Sequence, residues 1–155
     1  MKIKGSVEQG VYVLLMLAIQ KDHLPLKSQL LSERLEVSDS YLKKILRKLV
    51  VADLIASNAS KDGGFTLGRP ISEITMLDVC QAVDDSASLQ LPTLNLAERV
   101  FPGSPEHIKQ STKLVADTFE RSQTAFNTEL ANMTLNKLLE SESVQRGVID
   151  WRSLN

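Results

Sequence analysis

Cysteine is almost missing from this 155-residue chain, which has one, Cys80, beside two histidines and one tryptophan. A lone thiol forms no internal disulfide. With two scattered imidazoles it also falls short of the four or so ligands of an iron-sulfur cluster or a closed zinc site, so no cofactor is expected. Long apolar runs are scarce too. The longest, residues 11–19, is too short to span a bilayer and has no cleavage site of small residues after it. Neither a membrane segment nor a signal peptide is expected, and the cytoplasm is the expected compartment. No Ser/His/Asp or Cys/His set stands at a plausible catalytic spacing, and Asp84-Asp85 reads as a helix end, so no enzyme is expected.

What is present describes a soluble globular chain, 43% hydrophobic and 24% charged. A net charge of −1 looks unpromising for a nucleic-acid binder, but its distribution is uneven. Residues 1–71 hold 11 Lys and Arg against 7 Asp and Glu, a net of +4, and residues 72–155 hold 7 against 12, a net of −5. A basic N-terminal half suits DNA, and the acidic half suits another task.

Residues 38–53, SDSYLKKILRKLVVAD, carry the strongest pattern. At 100° per residue Leu42, Ile45, Leu46, Leu49 and Val50 share one helical arc, and Ser40, Lys43, Lys44, Arg47 and Lys48 share the opposite one. Ser38 is an N-cap and Asp39 suits the positive helix end, so small polar residues stand at the N-terminal tip. A recognition helix is built this way, although a solvated surface helix can carry the same cations.

The neighbouring segments decide between those two. Residues 7–20 predict a first helix, with Val7, Val11, Leu14, Leu15, Ala18 and Ile19 at helical spacing and Gly10 as a tolerated cost. Pro25 ends it, with His23 in a solvated turn. A short helix over residues 28–35 would bury Leu30, Leu31 and Leu35, and only Glu36 and Val37 separate it from Ser38. That spacing is a helix-turn-helix, with Glu36 where glycine would most easily supply a left-handed conformation. Residues 54–57 and 65–67 are β-prone, and the loop between them ends in Gly63-Gly64. A hairpin after a helix-turn-helix makes a wing; no Gly-Lys-Ser/Thr follows the glycines, so they are not a phosphate loop. Thr75 to Asp78 form a capping box before a helix ending near Val83, with Met76, Val79, Cys80 and Val83 inward. Cys80 reads as a packed thiol rather than a redox sensor.

Three stretches together, SDSYLKKILRKL, GGFTLGRP and ITMLDVCQAVD, resemble the signature blocks of the Rrf-two family of bacterial winged-helix transcription regulators, the IscR, NsrR and CymR type. The resemblance runs through residues 1–85 and, with a long C-terminal helix, to about Leu139. It implies a homodimer that binds palindromic promoter DNA, with a sensing segment ahead of the dimerisation helix. Ser38, Ser40, Tyr41 and Lys43 match the recognition-helix positions that contact DNA, and residues 59–61, including Ser60 and Lys61, match the wing tip. There are three departures. Members often carry Arg-Gly-Pro in the wing, and many carry Glu where this chain has Lys43. A carboxylate accepts from cytosine N4 whereas an ammonium donates to guanine or phosphate, so the family's operator is not assumed. Cluster-binding members carry three cysteines in the segment that is residues 84–103 here, where there are none.

That segment is apolar at Leu89, Leu91, Leu94, Leu96, Val100 and Phe101, and would either line a small-molecule pocket or pack on the dimer helix. Ser104 and Pro105 open a long helix reaching about residue 132, with His107 on its first-turn surface. Ile108, Thr112, Val115, Phe119, Ser122, Phe126, Leu130 and Met133 recur three and four apart along it, with Leu114 widening the stripe, which suits a second copy across a two-fold axis. Residues 134–139 predict a short closing helix, and the polar tail, with Trp151, is expected to fray.

The expected fold is mainly α with a small β wing: a winged helix-turn-helix domain over residues 1–85, a linker or sensing segment over 86–104, a dimerisation helix with its closing helix over 105–140, and a tail over 141–155. The expected function is a sequence-specific, homodimeric, cluster-free regulator of transcription, a repressor, with double-stranded DNA as partner. Ser38, Ser40, Tyr41 and Lys43 would read DNA, with Lys44, Arg47, Lys48, Ser60 and Lys61 at the backbone and wing. Two alternatives stand beside it: control by a partner protein through the acidic half, or a winged helix used only for protein interaction, which Glu33, Glu36 and Asp39 near the DNA face would suit.

Overall fold

A computed structural model of the chain describes residues 3–84, 96–100 and 103–154. Helix α1, Gly5–Ile19, buries nine residues, and Val13, Met16 and Leu17 are among them, outside the one-sided stripe read from the sequence. From Val13 to Ala18 every residue is buried, so this half of the helix is covered on all sides, while Glu8 and Tyr12 nearer its start stay exposed. Gly10 is part of that covering rather than a tolerated defect. A Cβ there would stand 3.1 Å from the Val79 side chain, so its absence lets the next layer approach.

After a turn, α2 (Ser28–Arg34) and α3 (Asp39–Val51) form the helix-turn-helix. Glu36 between them has φ 53°, the left-handed conformation that its position demands and glycine would adopt more easily. Leu42, Ile45, Leu46 and Leu49 of α3 are buried, and Val50 is half-buried.

Strands β1 (Ile55–Asn58) and β2 (Gly64–Leu67) pair antiparallel, with Asn58 opposite Gly64. The turn between them is closed by Ser60 N–H donating to Asn58 Oδ1 at 3.0 Å and Gly63 N–H donating to Ser60 O at 2.8 Å. Both glycines are needed for close backbone approach. A Cβ on Gly63 would lie 2.1 Å from Asn58 O, and one on Gly64 would lie 2.5 Å from Leu26 O. Leu26 and Phe65 exchange backbone hydrogen bonds of 3.0 and 2.8 Å, which ties the wing to the approach of α2.

Helix α4, Met76–Val83, starts at the expected capping box: Thr75 Oγ1 accepts from Asp78 N–H at 3.1 Å, and Asp78 Oδ2 accepts from Thr75 N–H at 2.7 Å. Val79, Cys80 and Val83 are buried and Met76 is half-buried. Burial, and then the Asp84 carboxylate, push the Cys80 thiol up, so it stays protonated and inert. A short helix α5, Ala97–Val100, precedes α6, Pro105–Ala131, which Ser104 caps by accepting from His107 N–H at 3.3 Å. Leu96 and Val100 are exposed; Leu89, Leu91, Leu94 and Phe101 lie outside the described residues. The far end of α6 meets α4, where Met76 N–H donates to Met133 O and Leu135 N–H to Ile74 O, both at 2.8 Å. The expected closing helix is a single 3₁₀ turn, Leu135–Leu138, with Leu135 buried.

The tail corrects the expectation that it frays. Helix α7, Ser141–Arg146, and the residues after it fold back on α1 and cover its remaining face. Gln20 is wholly buried there: its amide donates to Asp150 Oδ1 at 3.1 Å and its carbonyl accepts from Trp151 N–H at 3.0 Å. The Trp151 indole N–H donates to Met16 O at 3.1 Å, and Lys21 N–H to Ile149 O at 2.8 Å. Gly147, with φ 57°, makes the close pass over Gln20 O that any side chain would block. Trp151→Ala should therefore lower the unfolding free energy by about 2 to 3 kcal/mol, below the roughly 3 to 5 kcal/mol of a fully buried large aromatic because the ring is only half-buried. Urea unfolding followed by circular dichroism checks this; an unchanged midpoint would mean that the tail contributes no packing.

Candidate nucleic-acid interface

The exposed arc of α3 and the wing form the basic face of the fold. Ser38 caps α3, its hydroxyl accepting from Tyr41 N–H at 3.3 Å, and Ser40 is exposed with its hydroxyl 3.5 Å from that of Ser38. Four buried side chains on the opposite arc lock the rotation of α3, so Lys43, Lys44, Arg47 and Lys48 are held outward.

These cations are not equivalent. Lys44 and Arg47 are exposed and form no ion pair among the described residues. Lys43 lies 2.6 Å from the Asp39 carboxylate, one turn earlier. The Lys43 ammonium first, and then the Ser28 hydroxyl, hold the Asp39 carboxyl below its usual range, so near neutral pH it is a carboxylate. The i,i+4 spacing of this pair is legible in the sequence, and Lys43 can take another partner only by leaving Asp39. Lys48, read as a phosphate-facing cation, donates to Val83 O at 3.2 Å and so spans α3 and the end of α4. Tyr41 is 39% exposed, and its hydroxyl donates to Gln9 Oε1 of α1 at 3.0 Å, which holds the ring in place. No sequence pattern marked Gln9 or Val83 as supports, since both contacts cross between elements far apart in the chain.

At the wing tip Ala59, Ser60 and Lys61 are all exposed, with Asp62 beside Lys61. The proposed dimer stripe divides into two parts. Leu114, Val115 and Phe119 are 65%, 53% and 40% exposed, Ser122 is exposed, and Ile108 and Phe126 are half-buried. Leu130, by contrast, packs against the chain's own core, and the Met133 backbone binds α4.

A family model described as "Rrf2: Iron-dependent Transcriptional regulator" matches residues 3–141. The chain belongs to the Rrf2 family of transcriptional regulators. Its relatives include YwgB of Bacillus subtilis, named as an HTH-type transcriptional regulator, which is 34% identical over 97% of this chain and 94% of its own. IscR of Vibrio atlanticus is 35% identical over 56% of this chain and 50% of its own, so that likeness is confined to half of each protein. Among solved structures, CymR, the global cysteine regulator of B. subtilis, covers 89% of this chain and 95% of its own at 20% identity and a TM-score of 0.64. The IscR of T. potens gives 0.61 at 21% identity, with 89% and 85% covered. These neighbours share the winged-helix fold and the long C-terminal helix; the family, shared over most of the chain, makes this Rrf2 protein a DNA-binding regulator rather than an enzyme.

The family description mentions iron, and this Rrf2 chain's donors do not fit it. The one thiol is 2% exposed in the core with its proton held on, and no group of three or more His, Cys, Asp or Glu side chains stands together at metal-binding distance among the described residues. Likewise, no helix among the described residues is long and apolar enough to cross a membrane.

Proposed function

We propose that the chain is a homodimeric repressor that binds a palindromic promoter site through α3 and the wing, without an iron-sulfur cluster. The observation that carries this is the division of α3, with four residues buried on one arc and Lys43, Lys44 and Arg47 exposed on the other. Ser38, Ser40, Tyr41 and Lys43 stand at the N-terminal tip and read bases; Lys44, Arg47, Ser60 and Lys61 hold backbone. Lys48, exposed on the same arc, holds backbone beside them while also reaching Val83 O at the end of α4. The domain division drawn from the sequence, with residues 1–85 for DNA and α6 for pairing, supports the same assignment. Occupying a promoter with a two-fold dimer excludes other proteins without further machinery, which is why repression is the proposed sign.

Two experiments test this. Fragments selected from the source genome by the purified protein should share one inverted repeat; random fragments would refute sequence-specific binding. Protein purified without oxygen should contain no stoichiometric iron and sulfide. Visible absorbance that disappears in Cys80→Ala would refute the cluster-free part.

Asp39 gives a further prediction. Its carboxylate stands at the tip where phosphate would approach, and it holds Lys43. Asp39→Asn should strengthen binding to random DNA modestly, as removal of one exposed charge does, and so narrow the gap between cognate and random sites. Fluorescence anisotropy on both DNAs measures it; weaker binding to random DNA would show that Asp39 faces away.

A further inference from the structure

At the root of the wing, between it and residues of α1 and α7, lies a cleft of about 540 Å³. Its floor comes from three parts of the chain: Leu17 of α1, Leu67 and Ile71 at the root of the wing, and Val144 of α7. The volume is within the usual range of small-molecule sites, and apolar walls with a few polar groups are the usual lining. The basic side chains in the wall are Arg69 and His23, and among the described residues no carboxylate lines the cleft. Asp78, outside the lining, takes one guanidinium nitrogen at 3.0 Å.

The polar groups in this wall are incompletely satisfied. Arg69 Nε and Asn136 Oδ1 are sealed from solvent and have no hydrogen-bond partner, although both residues line the cleft. Buried polar atoms are almost always paired, so the orphaned Arg69 Nε–H points to an acceptor that arrives with a small shift of the wall, and the Asn136 amide meets the same acceptor only when turned over so that its Nδ2 donates. A guanidinium with spare donors above an apolar floor matches one chemical class best. The carboxylate takes the spare N–H donors, for which the planar guanidinium is well suited, and a hydrocarbon body covers Leu17, Leu67, Ile71 and Val144.

We propose that this cleft is a binding site for a small apolar carboxylate, with a body of about four to eight carbons, a size that a pocket of a few hundred cubic ångströms encloses. The inference goes beyond DNA binding and does not depend on it, because binding can be measured with no DNA present.

The test uses the full chain and a series of probes, butyrate, hexanoate, 4-methylpentanoate and phenylacetate, with hexanol as the uncharged control. Calorimetry should show saturable binding of at least one carboxylate at millimolar concentration, and backbone amide shifts should centre on Leu67, Ile71 and Val144. Hexanol should bind at least about tenfold more weakly, since a charge-assisted hydrogen bond exceeds the free energy of one decade. Arg69→Gln should remove that preference. Because Arg69 also supports Asp78 in the capping box, Ser141→Trp, which fills the exposed rim, provides the second variant and should abolish binding while circular dichroism stays unchanged. No saturable binding by any carboxylate, equal binding of hexanol, or binding unaffected by Ser141→Trp would each overturn the proposal.

Discussion

Replacing Phe119 and Phe126 together by lysine should convert the protein from dimer to monomer, with a molecular mass in light scattering close to the 17.2 kDa of one chain. Helix α6 is 27 residues long, about 40 Å. It has no buried residue in the isolated chain, and Leu114, Val115 and Phe119 are exposed along it. Its polar side chains make the surface less polar than its composition suggests. The hydroxyls of Thr112, Thr118, Ser122, Thr124 and Thr128 each donate to the carbonyl four residues earlier, at 2.8 to 2.9 Å. Of these, Thr112 and Ser122 lie on the stripe, and with their donors satisfied inside the helix, pairing this face with a second copy costs less desolvation. Two lysines per chain would put four ammonium groups into such a contact, at several kcal/mol for each buried charge, more than a dimer of ordinary affinity can absorb. Affinity for a two-half-site DNA should then fall by roughly 10² to 10⁴, the contribution of linking two binding events. Val115→Lys, at a more exposed position, keeps the test valid if the double variant unfolds. A folded double variant with an unchanged dimer mass would show that α6 is not the interface.

The second large effect separates reading from holding on α3. Lys43→Ala should weaken the selected site by about 1 to 3 kcal/mol per half-site and leave random DNA almost unaffected, because only the tip of such a helix reaches base edges. Arg47→Ala, one turn further along and unpaired among the described residues, should weaken both DNAs alike and flatten the salt dependence by about one unit per lost phosphate contact. The Asp39 pairing sharpens the first expectation. Since Lys43 exchanges one partner for another, its measured effect should be larger in an Asp39→Asn background, where no carboxylate competes. Anisotropy titrations of each variant on both DNAs measure these effects; equal losses on both DNAs for Lys43→Ala would place it at phosphate.

The features visible in the sequence are those set by local chemistry. The α3 stripe, the Ser38 and Ser104 caps, the Thr75 capping box, the Gly63-Gly64 turn and the conformation of Glu36 all depend on residues within a few positions of one another. Contacts between distant elements were hidden. The tail reads as polar and loose because nothing within it shows that Gln20 and Met16 await it more than 120 residues earlier. The clue lay in α1 itself, where Val13, Met16 and Leu17 make the helix apolar on the side opposite its main stripe and so demand one more covering element. Gly10 was legible only as a helix penalty until Val79 stood beside it. In the candidate interface, the sequence places Lys48 among its neighbours by angle alone; the proximity of Val83 O, a tertiary fact, gives it a different partner. The end of α3 is thereby joined to the last turn of α4, ahead of the segment the sequence assigns to sensing.

The measurement closest to the central claim, that α3 and the wing bind DNA, is the affinity of the unaltered protein for a genome-selected site and for random DNA across a range of salt concentrations. With Lys44, Arg47 and Lys61 of two chains on phosphate, the logarithm of the binding constant should fall linearly with the logarithm of salt concentration, with a slope of about −5. The selected site should stay about 10³-fold or more tighter at physiological salt. Binding that ignores salt, or equal affinity for both DNAs, would contradict the assignment of α3 as a recognition helix and leave protein interaction as the use of this winged fold.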